Sequence, residues 1–453
     1  MEDNVSSDGD EGPNERGGGA ERSGSGSPGN DEEPDEEEQP FDISLAASHS
    51  YMGNSLVQVS GRSVLEAGWQ GRVPVVAHHG AVFPGETVPM LLTNAHDAAV
   101  IMRAIQGDKL FGLLCPDESG TLVSGYGVLC EVYEVSAGGE GGEGGERGAR
   151  GEDAPRTVSF KARATHRFRC LNMPKHSVPI HVYSRMGPAE VRVLPEVRRG
   201  DPLRPARLAS LDALRRARAP LDNRLRSMDA AVTPWPLFVY DIFDYRRMRQ
   251  IIKDYFKTMS LEHVPEEAVS LSFWTASNLA LSARDRLALF AVDDALLRLH
   301  MEVRLIARKS VLCCSSCAVE IARREHIFAM SSEGVHSNYT NLVDIVTESR
   351  ASNTELSGAP SAEFSWFPGY TWTIALCAAC MAHVGWRFDA QRRNLRPQQF
   401  YGLCRNYVQP RSDAPPAPPA PPAARSLSAE LRTARHALSA LVYAPPERGD
   451  DDS

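Results

Sequence analysis

The stretch whose reading decides the fold of the C-terminal half runs Ser365-Trp366-Phe367-Pro368-Gly369-Tyr370-Thr371-Trp372, then Cys377-Ala378-Ala379-Cys380, then Gly385-Trp386-Arg387-Phe388. A knuckle of the same form, Cys314-Ser315-Ser316-Cys317, lies upstream, with 59 residues between the two pairs. The two-residue spacing lets each pair grip one Zn(II) in tetrahedral geometry at about 2.3 Å per bond. Four thiolates close the shell and leave no position for water, so the site reads as one structural zinc and not a catalytic one. Cys313 adjoins Cys314 but has the wrong spacing to Cys317 for a knuckle. Thiols merely sitting in a core are the competing reading, which paired spacing weakens.

Three of the six tryptophans fall within 21 residues, astride the second knuckle. Each indole N–H needs a partner, so ordinary cores rarely carry tryptophan this densely. Trp386 and Phe388 alternate and share one face of a strand. Trp366 and Trp372 are expected to wall the same space from a zinc-anchored loop. An open cage of aromatic faces suits a small flat ring or a cation. A plain aromatic core is the bland alternative.

Outward from this region the chain divides by composition. Its 453 residues carry a net charge of -9, yet residues 1 to 40 hold 14 acidic and 2 basic side chains, so the body is near neutral. That acidic tail and the Pro/Ala-rich stretch 411 to 453 read as disordered, with marginal helicity around Leu427 to Val442. No apolar run is long enough for a membrane span, and the start resembles neither a secretory nor a mitochondrial leader, so the expected location is cytoplasmic and nuclear. Nine cysteines in such a chain argue for thiols or metal ligands over disulfides.

Short strands punctuated by Gly and Pro fill residues 41 to 197: Val73 to Ala77, Thr87 to Leu92, Lys109 to Leu114, Gly127 to Val135, Val158 to Arg163, Ile180 to Ser184 and Val191 to Leu194. They predict a small, mostly antiparallel barrel or folded sheet, crossed by one helix over Ala95 to Ile105 and lengthened by a Gly-rich insert at 136 to 154. From 198 to 305 the period becomes helical. Ile242, Met248, Ile251, Ile252, Tyr255 and Phe256 make one amphipathic set, Val292, Leu296, Leu299, Val303 and Ile306 another, and Ser282 is a capping start. Nine arginines between Arg198 and Arg226 read as a solvated linker or helix face, because no aromatics interleave for base stacking. The greasy run Trp235 to Tyr240 is expected to face a partner in part. The fold class is therefore α+β and multidomain: a β-rich domain, a helical bundle and a small zinc-stapled all-β domain over 306 to 410, between disordered tails.

Glu363-Phe-Ser-Trp366-Phe-Pro-Gly-Tyr370-Thr-Trp372, Cys377-x-x-Cys380 and His383-Val-Gly-Trp386-Arg-Phe388 together resemble the thalidomide-binding (CULT, β-tent) domain of the cereblon family. Phe41-Asp-Ile-Ser-Leu45 and Phe83-Pro-Gly-Glu-Thr-Val-Pro89 resemble that family's Lon-type N-terminal domain, and the likeness covers Phe41 to Pro410. The resemblance implies a non-catalytic substrate receptor of a cullin-4 RING E3 ubiquitin ligase, docked through its helical region on the adaptor DNA damage-binding protein 1. It implies that the cage binds glutarimide ligands or C-terminal cyclic imide degrons, with Trp366, Trp372 and Trp386 as walls and Phe388 as floor. Tyr370 belongs to the same ligand-binding run, and Asn341 matches a residue on the covering loop. Two positions depart. Phe364 stands where the family carries His, which removes a side-chain donor, and Leu342 and Val343 replace Pro and His on the covering loop.

Two other classes compete. A reader of methylated lysine would use Glu363 as the acid at the cage rim. A zinc-stapled thiol enzyme of the methionine sulfoxide reductase type would need Cys404 as nucleophile with a lowered pKa. Direct nucleic-acid binding is not expected, since the zinc domain is not strongly basic. A Lon-type protease reading falls because the chain lacks a Walker phosphate loop.

Overall fold

Alternating apolar residues in the N-terminal half close a sheet into a ring. After β1 (Gln39–Pro40), α1 (Ile43–Ser48) and β2 (Val57–Gln58) come β3 (Gln70–Ala77), β4 (Thr87–Leu92), α2 (Ala95–Gln106), β5 (Leu110–Pro116), β6 (Val123–Ala137), β7 (Val158–Cys170) and β8 (Gly187–Val193). This computed structural model describes residues 37–53, 56–59, 64–137, 157–171, 173, 178–261, 263–308, 310–340 and 343–412. The expected tail helix, most of the Gly-rich insert, and Asn341 with Leu342 lie outside the described residues.

The sheet order is β2-β6-β5-β3-β8-β7-β4, and an extra β6–β7 pairing completes a five-membered ring of β6, β5, β3, β8 and β7. Only β3–β5 is parallel; the chain crosses between them through β4 and α2, as a parallel pair requires. Phe168, fully buried on β7, fills the space two glycines leave. A Cβ at Gly127 would lie 2.3 Å from its ring and 2.5 Å from the Leu113 carbonyl. One expected strand is corrected: Ile180–Tyr183 is a 3₁₀ turn after Pro179, with Val182 exposed, because pairing with the segment before β6 ends at Ile180 and i→i+3 bonds from Val182 to Pro179 and from Ser184 to His181 close the chain on itself.

The helices are α3 (Asp212–Ala217), α4 (Ala219–Ala231), α5 (Leu237–Tyr240), α6 (Tyr245–Lys257), α7 (Ala268–Asn278), α8 (Ala283–Phe290) and α9 (Ala295–Ile306). Ser282 caps α8 by accepting the Asp285 N–H. Met248, Ile252 and Phe256 of α6 are buried with Leu296, Leu299 and Met301 of α9 in one core that continues into the barrel. The arginine run is not merely a solvated face. Arg215 and Arg226 are buried, paired with Asp229 at 2.7 Å and with Asp201 at 2.7 Å respectively, so two of the nine hold α3 and α4 in place. The Trp235–Tyr240 run divides: Tyr240 is buried, whereas Phe238 is 71% exposed. No described helix is long and apolar enough to cross a membrane.

The last third is all β: β9 (Ser310–Cys314), β10 (Glu320–Arg323), β11 (His336–Tyr339), β12 (Val343–Glu348), β13 (Thr354–Ser361), β14 (Tyr370–Cys377), β15 (His383–Ala390), β16 (Leu395–Arg396), β17 (Gln399–Cys404) and β18 (Val408–Ser412). All of them except β16 form a three-stranded sheet, β10-β9-β18, and a six-stranded one, β11-β12-β17-β15-β14-β13. The N-terminal segment, read from sequence as the start of the barrel domain, belongs here. β1 pairs in parallel with β16, and Phe41 packs edge-on against Phe367 and Tyr370 at 6.1 and 5.6 Å. Burying a Phe side chain contributes about 1.5–3 kcal/mol, and an aromatic pocket is the nearest shelter for it.

Candidate functional site: an aromatic cage beside a four-cysteine zinc centre

The two knuckles have the same local geometry. Cys314 and Cys377 end strands β9 and β14, and Cys317 and Cys380 lie in the turns that follow. Ala318 and Met381, the residues after each knuckle, both sit at positive φ, 59° and 58°, and donate backbone N–H bonds to the Cys314 and Cys377 carbonyls at 2.9 and 2.7 Å. That reversal turns both thiols of a pair inward. Sγ atoms of Cys314 and Cys380 are 3.7 Å apart, those of Cys317 and Cys377 3.6 Å, and all four lie within 4.8 Å of one another. A tetrahedron with Zn–S bonds of about 2.3 Å has edges of about 3.8 Å, so the set fits one structural zinc that ties the two sheets together. Cys313, buried and one residue off, is outside the set.

Strand pairing assembles the cage. Across β14 and β15, Trp372 faces Phe388 and Ile374 faces Trp386. Directly opposite residues share a face, so Trp372, Phe388 and Trp386 line one side of the sheet. Trp366 comes from the loop between β13 and β14 and stands edge-on to Trp386 at 4.9 Å. Its other side stacks on Tyr339 of β11 at 4.6 Å and 16°. Phe388 is buried beneath, stacked on Phe400 at 5.0 Å. All three tryptophans keep part of their surface open. Gly402 on β17, opposite Trp386, keeps the face hollow: a Cβ there would lie 3.0 Å from the Phe388 ring and 2.9 Å from Ile345.

The loop carries the polar groups. Trp372 Nε1 donates to the Glu363 carbonyl at 2.8 Å, which pins the rim to the wall. Phe364 sits at φ 54° and is 74% exposed, an unusual backbone conformation for an aromatic residue. Neither the Phe364 carbonyl nor the Trp366 N–H has a hydrogen-bond partner among the described residues. One acceptor and one donor, two residues apart, therefore stand unpaired at the mouth of an apolar cage.

Other expected site residues fall elsewhere. Tyr370 is buried, and its hydroxyl donates to the Pro397 carbonyl at 2.8 Å, so it supports the loop from the core and offers no donor to a ligand. Glu363 is exposed at the rim. Cys404 is buried, and burial pushes its thiol up to about 12, the opposite of an activated nucleophile. Sequence reasoning missed Tyr339, Gly402 and His383; burial lowers the pKa of His383, whose ring stands edge-on to Trp386 at 4.7 Å. His383 stands in the run quoted before Trp386 without a role of its own, and Gly402 just before Cys404, where a glycine can mark close backbone approach.

Residues 72–308, half of the chain, match the family model described as the ATP-dependent protease La (LON) substrate-binding domain. The chain belongs to the LON substrate-binding domain family. Residues 310–412 of this LON-family chain match a second model, described as Yippee zinc-binding/DNA-binding/Mis18, centromere assembly. Protein cereblon of Danio rerio is 29% identical over 398 residues, covering 82% of this chain and 88% of the relative. Protein cereblon of Xenopus tropicalis is 28% identical over 404 residues, covering 83% and 86%. A solved Lon N-terminal domain protein from Xanthomonas campestris is matched at 14% identity and a TM-score of 0.30, covering 52% of this chain and 98% of that one. The LON-family chain is thus similar to cereblon along most of its length, and its zinc centre and cage lie inside the stretch matched by the second model.

Proposed function

We propose that this chain is a substrate receptor of an E3 ubiquitin ligase of the cullin-4 RING type, whose cage captures a glutarimide ring or a C-terminal cyclic imide on the proteins it presents. The observation that carries the reading is the unpaired Phe364 carbonyl and Trp366 N–H at the mouth of the three-tryptophan cage. A cyclic imide is planar, apolar on its methylene faces and polar along one edge. Its N–H would donate to the Phe364 carbonyl and one of its carbonyls would accept from the Trp366 N–H, while the indoles bury the ring. The chemistry is recognition without bond making, and ubiquitin transfer falls to other subunits.

Similarity to cereblon supports docking on the adaptor DNA damage-binding protein 1 through the helical region. There Leu208, Met228, Val232 and Phe238 are all exposed, a greasy surface suited to a partner. This role places the protein in the cytoplasm and nucleus. Fluorescence polarisation of a labelled glutarimide on the full chain, with zinc content measured and Trp386→Ala as control, tests the proposal. Saturable binding abolished in the variant is the expected result. A folded, zinc-loaded protein that binds trimethyl-lysine peptide and no glutarimide would overturn it, and Glu363 at the rim makes that peptide the competitor to use.

A further inference from the structure

The arginine run contains a second feature, separate from the cage. A cavity of about 420 Å³ opens between the linker that leaves the barrel and the start of α6, lined among others by Arg198, Arg199, Arg204, Arg207 and Arg246. Three carboxylates, Asp201, Asp222 and Asp244, share its wall. All three are engaged from behind by arginines that do not line it: Asp201 by Arg226 at 2.7 Å, Asp244 by Arg226 at 3.4 Å, and Asp222 by Arg215 at 3.4 Å. Asp244 is further occupied as the cap of α6, accepting the Arg247 N–H at 3.2 Å. Of the lining arginines, Arg207 pairs with Asp201 and Arg199 with Asp294 at 2.9 Å, and Arg198 makes only an exposed 3.6 Å pair with Glu267. Arg204 and Arg246 have no ion pair among the described residues.

Arg226 is shared among Asp201, Asp241 and Asp244, and Arg215 between Asp222 and Asp229, so these arginines offset the wall carboxylates only in part. The lining itself carries five arginines against three carboxylates, and Arg204 and Arg246 are the two left without an ion pair among the described residues. Arg246 stands in the first turn of the 13-residue α6, where the helix dipole adds to that potential. Guanidinium groups of fixed planar geometry converging on a concavity are the chemistry that reads phosphate oxygens. Of the two aromatic neighbours Phe243 is buried, and the half-buried Tyr245 is anchored by its hydroxyl, which donates to the Glu266 carbonyl. The volume lies within the ordinary small-ligand range of about 300–1,000 Å³, which favours a small anion over a nucleic-acid strand.

We propose that this cavity is a binding site for a compact polyphosphate anion, held by Arg204 and Arg246 with Arg198 and Arg207 at its edges, and independent of the tryptophan cage.

Calorimetry on the full chain at low salt, titrating inorganic phosphate, pyrophosphate and tripolyphosphate, tests this. Affinity is expected to rise along that series with one site per chain. Arg204→Gln combined with Arg246→Gln should weaken tripolyphosphate at least tenfold without moving the melting temperature, since neither side chain supports the fold. The exposed pair Arg392→Gln and Arg393→Gln, outside this cavity, should change affinity less than twofold, and Trp386→Ala should leave it intact. ATP without magnesium serves as a second source of the same chemistry: affinity equal to tripolyphosphate shows that phosphates alone are read, and tighter binding shows a nucleoside contact added to the same site. No saturable tripolyphosphate binding by the folded wild type, or equal losses in the two arginine pairs, would overturn the proposal.

Discussion

Phe364 shows how much one position on a rim can set. Its exposed ring at positive φ leaves its carbonyl free, but it supplies no donor of its own. Phe364→His restores an imidazole there, and a neutral hydrogen bond of about 1 kcal/mol corresponds to about fivefold in affinity. Glutarimide affinity measured by polarisation should tighten by about that factor, and an unchanged constant would show that the side chain does not reach the ligand. His49 is a second residue with a measurable consequence. Burial, and then the charges of Lys161 and Arg163, lower its pKa from 6.5 to about 4. A depressed histidine contributes stability that is complete above pH 6.5 and is lost as pH falls through its folded value. Urea denaturation of wild type and His49→Gln between pH 7 and 4 should therefore diverge in slope, the wild type losing about 1.4 kcal/mol per pH unit more than the variant within that window. Parallel curves would mean that the imidazole is not sheltered against Tyr339.

At the scale of elements, the zinc knuckles clamp the edges of two sheets that also share an apolar core, Leu312, Ile321 and Val408 of one packing with Ala375, Val384 and Leu403 of the other. Cys314 and Cys317 belong to the three-stranded sheet and its turn, Cys377 and Cys380 to the β14–β15 hairpin that carries the cage. Removing the metal should loosen that hairpin first. Chelation, or Cys317→Ser, is expected to abolish glutarimide binding and expose the Trp386 region to hydrogen exchange, while amides of β5 and β7 in the barrel stay protected. Metal analysis should return one zinc per chain. The knuckles were legible because ligand spacing is a local property, as was the Trp386–Phe388 alternation. The same logic failed at Ile180–Tyr183, where i→i+3 bonds close a turn in place of strand pairing.

Over the whole molecule, barrel, helices and zinc domain meet at a buried polar junction. Glu86, in the turn before β4, accepts from Ser277 of α7 at 2.8 Å and from Asn338 of β11 at 2.6 Å. Arg286 of α8 lies 3.5 Å from Glu86 and 3.6 Å from Asp344, and Arg405 reaches Asp344 at 2.9 Å and the Ser277 carbonyl at 2.7 Å. Taking one partner from a buried ion pair costs about 3–5 kcal/mol, so Arg286→Met should lower the denaturation midpoint accordingly and a wild-type midpoint would show the junction to be dispensable. None of this was visible in the chain: Glu86 and Asn338 are 252 residues apart, and nothing local marks either as buried. The Phe41 segment likewise looked like the start of the barrel, and docked instead on the aromatic core of the zinc domain. Local spacing and periodicity by themselves determined the zinc ligands, the barrel strands, the helical middle and the crowding of tryptophans, because each depends on residues a few positions apart. Which tryptophan faces meet, that Tyr370 serves the core, that Arg215 and Arg226 are buried while Arg204 and Arg246 are left in surplus, and that three regions share one polar junction were decided only by tertiary structure, since burial and charge compensation depend on which distant segments pack together.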